Sequence, residues 1–227
     1  MIGSLRNWVF MIVFYTGSVP IVLATLISAL FGHRMLVANV HAWSSFHRWA
    51  ARWCLGIQSQ YVGSASAEPT FYAAKHHATY ETLELCRELG NPVFVIKREL
   101  SLIPVWGWAI QQYGAIVVDR EASSGALRQM MREAKQILAE GRSVIIFPEG
   151  TRVAAGEKPP LRSGFAGLYR VLGLEVVPIA INSGDVLPKH GPPKPGVVTF
   201  LFGERIPAKL PREEIEARVH TGINALD

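Results

Sequence analysis

The sequence is poor in acidic residues near its start, in cysteines, and in clusters of positive charge. Its first 63 residues contain four arginines and no aspartate or glutamate, so this segment holds most of the net charge of +5 on the 227-residue chain. No run rich in lysine and arginine follows, and we expect no nucleic-acid partner. The two cysteines, Cys54 and Cys86, form no CxxC pair and no metal-ligand spacing. They predict a reduced, cytoplasmic setting.

The sequence also lacks the Gly-x-Ser-x-Gly elbow that exposes the nucleophile of many serine hydrolases. Ser163 stands in the stretch LRSGF, which does not have this flanking pattern. A hydrolase therefore stays only as an alternative, and a covalent adduct with a serine-directed phosphonate would reveal it.

The longest apolar run lies near the start of the chain. Residues 8–31 form 24 consecutive positions without a charge, enough as a helix to cross a hydrocarbon core of ~30 Å. Gly17 and Pro20 interrupt the run, and a proline removes a helical N–H and clashes with the preceding turn. Because Arg6 and Arg34 flank both ends, the distribution of positive charge gives no orientation.

Residues 35–55 continue as an amphipathic helical pattern. Phe46, Trp49 and Trp53 fall on one side of such a helix, and Arg48 falls on the other. Aromatic residues opposite arginines suit the boundary between water and lipid, although packing on the protein's own core is the alternative. Beside the apolar run, this pattern predicts a membrane anchor, either one span with a surface helix or a hairpin in one leaflet.

The pattern changes at residue 57, where short β-rich runs begin to alternate with helical ones. This alternation predicts an α/β fold, a mixed and largely parallel sheet flanked by helices. We therefore divide the chain into N-terminal membrane-anchoring helices, residues 1–56, and a second domain, residues 57–227. The predicted strands cover residues 57–62, 71–74, 93–96, 115–118, 144–147, 176–181 and 197–202, and the predicted helices cover residues 81–89, 103–113, 124–139 and 164–172.

One stretch, FYAAKHHATYE at residues 71–81, joins a short apolar strand to the start of a helix. On one continuous helix His76 and Glu81 would point about 140° apart, at ~100° per residue. They can meet only if His76 lies in the loop before the helix and Glu81 lies in its first turn. The carboxylate would then accept one ring N–H and leave the other nitrogen free as a base. Lys75, next to the pair, is expected either to steer anions or to be a solvated surface charge.

Charged or proline-containing segments also lie at four other predicted strands. Lys97 ends one strand, Arg120 ends GAIVVDR, FPEGTR occupies residues 147–152, and VVPIAI occupies residues 176–181. Functional groups in such folds gather at the carboxyl ends of the strands. Cations that converge on one edge suit an anionic, phosphorylated substrate.

These blocks, in this order, resemble the glycerolipid acyltransferase family, most closely the 1-acyl-sn-glycerol-3-phosphate (lysophosphatidic acid) acyltransferases of bacterial phospholipid synthesis. That family carries a His-x4-Asp, a strand ending in Arg, a Phe-Pro-Glu-Gly-Thr-Arg and a Val-Pro-rich strand. The resemblance covers roughly residues 61–202, and FPEGTR is its most specific part. One departure is Glu81, which is one methylene longer than the usual aspartate.

The resemblance implies a glycerol-phosphate acyltransferase-like fold and a reaction that needs no cofactor and no metal ion. It implies that His76 is the general base, supported by Glu81, and that it takes the proton from an acceptor hydroxyl as this attacks an acyl thioester. It further implies that the substrate phosphate is bound by Lys97, Arg120 and Arg152. The residues that shape the substrate site would be Glu149, Gly150, Thr151 and Pro178, the last of them at the acyl pocket.

The resemblance also implies the partners of the reaction. The acceptor would be lysophosphatidic acid, the donor acyl-CoA or acyl-carrier protein, and the product phosphatidic acid. The protein would lie in the inner (cytoplasmic) membrane with its catalytic domain facing the cytoplasm and its anchor in the lipid bilayer. Two alternatives stay open: an acyltransferase for another lysolipid or for glycerol 3-phosphate, and a catalytically silent membrane scaffold.

Overall fold

The computed structural model of the chain describes residues 2–118 and 124–227. The helices are α1 (Ile2–Leu30), α2 (His33–Ala50), a π-helical turn (Ala51–Leu55), α3 (Tyr80–Glu88), α4 (Arg98–Ser101), α5 (Trp106–Tyr113), α6 (Ser124–Ala139), α7 (Ser163–Leu172), α8 (Ser183–Val186) and α9 (Arg212–Ile223). The strands are β1 (Ile57–Val62), β2 (Phe71–Ala74), β3 (Val93–Lys97), β4 (Ile116–Val118), β5 (Val144–Ile146), β6 (Val176–Ile181) and β7 (Gly196–Phe202).

These strands form one sheet in the order β1-β7-β6-β2-β5-β3-β4. β6 and β7 pair antiparallel, and the other neighbours pair parallel. The predicted mixed, largely parallel sheet is therefore confirmed. β2 is central, between β6 and β5, so Ala73 lies opposite Pro178 on one side and Ile146 on the other. The carboxyl ends of β2, β3, β5 and β6 consequently open on the same edge of the sheet.

Every side chain of β2 is buried, because helices cover both faces of the sheet. Phe71 stacks on Phe165 of α7 with 5.8 Å between ring centroids. The next residue, Tyr72, points to the opposite face, where its core cluster includes Leu85 of α3. A strand covered on both faces reads as an unbroken apolar run rather than an alternating one, which is why FYAA was recognisable as a buried strand.

The first apolar run forms a single helix that continues through Gly17 and Pro20. A proline removes one hydrogen bond, and packing on α2 offsets this loss; near Pro20, Trp43 donates its Nε1–H to Ser18 Oγ at 2.9 Å. In the described chain, α1 is the one helix long and apolar enough to cross a membrane, by length and composition. The stretch concerned, Leu5–Leu30, has a mean hydropathy of 2.1.

The second apolar segment forms α2 and the π-helical turn, and its aromatic side faces outward. Trp49 and Trp53 are 52% and 68% exposed. The opposite side packs on the rest of the protein, because Arg48 Nη2 pairs with the buried Glu84 of α3 at 2.7 Å. Ser44 of the same side donates its hydroxyl to the Leu83 carbonyl. α2 is thus fixed to the helix that carries Glu81.

The predicted helix at residues 103–113 is wrong at its start, since the chain forms α4, then a turn, and resumes as α5. Pro104 explains the difference, because a proline disfavours helical backbone at the residue before it. The Trp106 N–H donates to the Pro104 carbonyl at 2.6 Å and closes a γ-turn at Val105, whose φ is 62°. From residue 57 onward, the other predicted strands and helices are present, with ends that agree to within one residue.

α9 was not predicted from the sequence. Its start carries ordinary signals, namely Pro211 before the first turn and Glu213 and Glu214 within it. α9 covers the face of the sheet that holds Phe71, and its Ile215 and Val219 are buried there.

Candidate active site

His76 and Glu81 meet at the carboxyl end of β2. His76 lies in the loop and its Nδ1 is 3.0 Å from Glu81 Oε1, so the longer carboxylate reaches the ring. The same oxygen accepts the backbone N–H groups of His77 and Ala78, each at 2.6 Å. Its partner Oε2 accepts the hydroxyl of Ser183 at 2.9 Å. Glu81 is therefore fully buried, and both of its oxygens are hydrogen-bonded. Its bonds to residues 76–78 hold the loop between β2 and α3 in place.

Hydrogen bonds keep Glu81 ionised. Burial on its own would raise the pKa of this carboxyl, but the hydrogen bond and charge attraction from His76, with the N–H of Ala78, outweigh it and hold the pKa below its ordinary value. An ionised carboxylate only accepts hydrogen bonds, so Nδ1 of His76 carries a proton. In the neutral ring Nε2 is then the nitrogen with a free lone pair, as a base requires.

Glu81→Gln should make the fold less stable at neutral pH, by about 1.5–3 kcal/mol, because a buried charged acceptor of several N–H groups is lost. The folded pKa lies below the unfolded reference of 4.5, so the ionised carboxylate stabilises the fold above that value. The difference in unfolding free energy between wild type and variant should shrink as the pH falls through the folded pKa. Denaturant unfolding from pH 3.5 to 7.5 measures it. A difference that is constant down to the lowest pH would contradict the depressed pKa.

The ring of His76 is partly exposed and packs on the FPEGTR loop. Its face stacks on Phe147 with 4.1 Å between ring centroids, and 18% of the side chain is accessible. The two loops also share backbone bonds, since the N–H of Val153 donates to the His76 carbonyl at 2.9 Å. Gly150, at the tip of the second loop, has a φ of 68°, a left-handed conformation that glycine adopts without strain.

A cavity of about 1230 Å³ opens beside His76. Among its lining residues are Lys97, the last residue of β3, and Thr151 and Arg152 of the FPEGTR loop, which lie at the carboxyl edge of the sheet as His76 does. Its interior is mostly apolar and reaches Tyr113, which precedes β4 and lies near the amino ends of the strands. The cavity thus joins a basic mouth at the carboxyl edge of the sheet to an apolar interior.

Sequence reasoning missed Arg162 and Ser183. Arg162 lines the mouth at the N-cap of α7, where helix backbone N–H groups favour an anion. Ser183 lies two residues after the end of β6 and donates its hydroxyl to Glu81. Both are polar residues at the carboxyl edge of the sheet, as Lys97 is. The arginine in LRSGF and the residues after VVPIAI could therefore have been identified as candidate site residues.

Lys75 lies at the centre of a buried ion network, which corrects both expectations for it. Its side chain is fully buried, and Nζ is 2.9 Å from Glu149 Oε1 and 2.9 Å from Asp227 Oδ2. It also donates to Asn224 Oδ1 and to the Glu157 carbonyl, each at 2.6 Å. A cation placed among these acceptors is neither solvated nor able to steer a ligand.

Glu149 couples this network to His76. Its carboxylate is buried, and Oε2 accepts the backbone N–H of His76 at 3.1 Å. The Glu149 side chain therefore holds the histidine loop from the protein interior. The three residues after it, Gly150, Thr151 and Arg152, line the cavity. His77 also belongs to the support, because its Nδ1 is 3.0 Å from the Val153 carbonyl.

Two residues predicted to shape the substrate site, Glu149 and Pro178, are not among the described residues that line the cavity. Pro178 is buried in β6 and packs on Gly203 and Gly222, whose lack of a side chain makes room for the proline ring. Arg120 lies outside the described residues.

Comparisons with known proteins agree with this arrangement. Residues 58–182 match the family model described as Acyltransferase. The chain is 32% identical over 199 residues to the 1-acyl-sn-glycerol-3-phosphate acyltransferase of Pseudomonas aeruginosa, covering 86% of this chain and 76% of that protein. The enzyme of the same name from Helicobacter pylori is 30% identical over 131 residues, or 56% of this chain and 55% of that protein. The lyso-ornithine lipid O-acyltransferase of Pseudomonas aeruginosa is 27% identical over 136 residues, or 59% and 52%.

A solved structure shares the whole fold. The crystal structure of the 1-acyl-sn-glycerophosphate (LPA) acyltransferase PlsC from Thermotoga maritima superposes with a TM-score of 0.75 over 99% of this chain and 97% of that one. The two sequences are 21% identical, so this likeness concerns the fold. On the family match and the extent of the Pseudomonas similarity, the chain belongs to the acyltransferase family.

Proposed function

We propose that the protein is a membrane-anchored O-acyltransferase that moves a fatty-acyl group from an acyl thioester to the free hydroxyl of 1-acyl-glycerol-3-phosphate, giving phosphatidic acid. The observation that carries the proposal is that the His76–Glu81 pair lies at the basic mouth of a large apolar cavity. Such a mouth suits a phosphorylated headgroup, and such an interior suits a fatty-acyl chain.

In the proposed reaction, Nε2 of His76 removes the proton from the acceptor hydroxyl as its oxygen attacks the thioester carbonyl. The bond from carbonyl carbon to sulfur then breaks, and the imidazolium returns the proton to the leaving thiolate. The ionised Glu81 holds the ring in the required tautomer and stabilises the imidazolium by a hydrogen bond of 3.0 Å. Alignment of two bound substrates beside the base supplies a further part of the acceleration.

A covalent acyl-cysteine is disfavoured. Cys86 lines the cavity, but burial raises the pKa of its thiol to about 11 despite a hydrogen bond with Tyr113. A protonated thiol is a weak nucleophile. Direct transfer between the two substrates is therefore the better mechanism for this cavity.

The basic side chains at the mouth are proposed to hold the acceptor phosphate. Lys97 is half-buried at the end of β3, and Arg152 and Arg162 are more exposed. Arginine can bind phosphate through two parallel hydrogen bonds and lysine through a compact charge. Arg120 stays a predicted member of this group.

Membrane anchoring is proposed for the N-terminal helices, residues 1–56, with residues 57–227 as the catalytic domain at the cytoplasmic face of the inner membrane. α1 leaves large apolar side chains exposed along its length, and its Ile21, Val22 and Thr25 line the cavity beside the catalytic residues. Such an anchor lets the lysolipid reach the cavity without its tail entering water, which would cost ~0.8 kcal/mol per CH₂.

Arg152→Ala is expected to raise the KM for lysophosphatidic acid by about tenfold or more, because a charge-assisted hydrogen bond to phosphate is lost. The KM for the acyl thioester should change much less. Initial rates with each substrate varied in mixed micelles measure both constants. In the same assay, monoacylglycerol, which lacks the phosphate, should be a poor acceptor for the wild type.

Arg170 gives a matched control, since it is an exposed arginine in the last turn of α7 and does not line the cavity. Arg170→Ala should leave both KM values unchanged. Equal increases in both KM values for Arg152→Ala would place the phosphate elsewhere. A preference for a lyso-aminolipid over lysophosphatidic acid would favour the second candidate acceptor, which the similarity to the lyso-ornithine lipid enzyme supports.

A further inference from the structure

The segment that joins β3 to α5 exposes a group of apolar side chains on the catalytic domain itself. We call residues 98–108, which include α4 and the γ-turn, the α4–α5 corner. Leu102 is 69% exposed and Ile103 is 45% exposed, and Leu100 and Trp108 are also exposed. Contiguous exposed apolar surface on a soluble face is unusual and marks a contact with a partner or a membrane.

The backbone of the corner turns these side chains outward. The γ-turn at Val105 reverses the chain, and the Gly107 N–H donates to the Ile103 carbonyl at 2.6 Å. The turn also brings Gly107 against the Ser101 carbonyl oxygen, which a Cβ at that position would meet at 2.0 Å. The compact turn thus pairs these backbone groups with one another and leaves Leu102 and Ile103 exposed.

The corner is docked on the anchor helices. Val105 forms a shallow apolar groove together with Phe14, Ser18 and Val22 of α1. Trp106 packs edge-on against Trp43 of α2, with 5.2 Å between ring centroids. Val105 of the corner therefore adjoins exposed apolar residues of α1, since Tyr15, Val19 and Leu23 line the same groove.

The corner also forms part of the cavity wall. Glu99, Leu100 and Trp106 line the same cavity as Ile21 and Val22 of α1. The apolar cavity is thus bounded by α1 on one side and by the corner on another. A lipid that leaves the bilayer for the cavity would pass between these two elements.

We propose that the α4–α5 corner is a second membrane-contacting surface, which inserts Leu102 and Ile103 into the headgroup region and borders the path of the acceptor lipid into the cavity. The inference rests on the proposed membrane anchoring of α1. A bilayer is the occupant that fits, because the corner adjoins an apolar helix of membrane-crossing length, and because Lys97 stands beside it to meet anionic headgroups. Glu99, which also lines the cavity, is the acidic residue within the corner.

The test places one nitroxide label at a time on the full chain in phosphatidylcholine–phosphatidylglycerol vesicles. Cys54 is replaced by serine, the buried Cys86 is retained, and the chain without an added cysteine reports background labelling. The probe at the corner is Leu102→Cys. The reference for the anchor is Val19→Cys on the exposed side of α1, and the reference for water is Glu213→Cys on α9. Electron paramagnetic resonance compares collision with oxygen, which concentrates in lipid, and with a water-soluble nickel chelate.

Labels at 102 and 19 are expected to collide with oxygen and to be shielded from nickel, and the label at 213 is expected to do the reverse. A label at 102 that meets nickel while the label at 19 is in lipid would overturn the corner as a membrane surface and leave the anchor intact. Nickel access at both positions would overturn the anchoring as well. A label at 102 shielded from both reagents would assign the corner to a protein contact instead.

An activity measurement also tests whether the corner contacts the membrane. The double variant Leu102→Asp/Ile103→Asp should lose about tenfold or more of the acyl-transfer rate with vesicle-bound acceptor, and less than about twofold with a short-chain acceptor in solution. Val197→Asp, an exposed apolar position on β7, is the matched control and should retain both rates. Equal loss with both acceptors would overturn a role in reaching the membrane-bound lipid.

Discussion

His76→Ala is expected to lower kcat for acyl transfer by about 10²–10⁴-fold while the protein stays folded. Alanine removes the ring whose Nδ1 is held at 3.0 Å by Glu81 and whose other nitrogen would take the acceptor proton. The KM values should change little, because a general base acts on the transition state rather than on the bound substrates. Initial rates of phosphatidic acid formation in mixed micelles measure the effect, with thermal unfolding as the test of folding.

Two variants make this result specific to the base. His76→Gln keeps a polar side chain in the loop but has no titratable nitrogen, so it should be as inactive as the alanine variant. His190→Ala removes an exposed histidine from the loop between α8 and β7 and should retain full activity. Retained activity in a folded His76→Ala protein would reject the mechanism. A wild type that acylates none of the candidate acceptors would favour the silent scaffold.

The strands were predictable because burial on both sheet faces leaves a direct mark on the sequence. β2 must be apolar at four consecutive positions, and β6 at all six, since helices cover both sides. The helix predicted at residues 103–113 was wrong at its start, because the helical spacing of its residues does not show the local limits on the backbone. Its residues have helical spacing, but the backbone limits set by Pro104 and the contact of Val105 with α1 decide the local structure.

The candidate site was predictable where it depends on residues close together in the sequence. The spacing of His76 and Glu81 already required a loop residue and a first-turn residue, and the hydrogen bond between them has that form. The environment of Lys75 had no such local signal. Its partners Asn224 and Asp227 lie about 150 positions further along the chain, at the end of α9, which was not predicted from the sequence.

Lys75→Met is expected to lower the free energy of unfolding by about 3–5 kcal/mol, the range for breaking a buried ion pair. Methionine keeps much of the volume but leaves the carboxylates of Glu149 and Asp227 buried without their shared cation, which is 2.9 Å from each. Denaturant unfolding at neutral pH measures the change. Lys158→Met is the matched control, because this exposed lysine donates to the Asp227 carbonyl at 2.9 Å. Its loss should lower the free energy of unfolding by no more than ~1 kcal/mol.

The triple variant Lys75→Met/Glu149→Gln/Asp227→Asn separates the charge of the network from its volume. Removing all three charges together leaves no uncompensated ion, so most of the lost stability should return. The amide oxygen introduced at position 149 can still accept the His76 N–H, which Glu149 accepts at 3.1 Å, so the acyl-transfer rate should be close to that of the wild type. A triple variant that is stable but still slow would mean that the ionised Glu149 is needed to position His76. If Lys75→Met were no more damaging than Lys158→Met, the network would not hold the loop at all, and the support of His76 would have to come from Glu81 and the Val153 backbone alone.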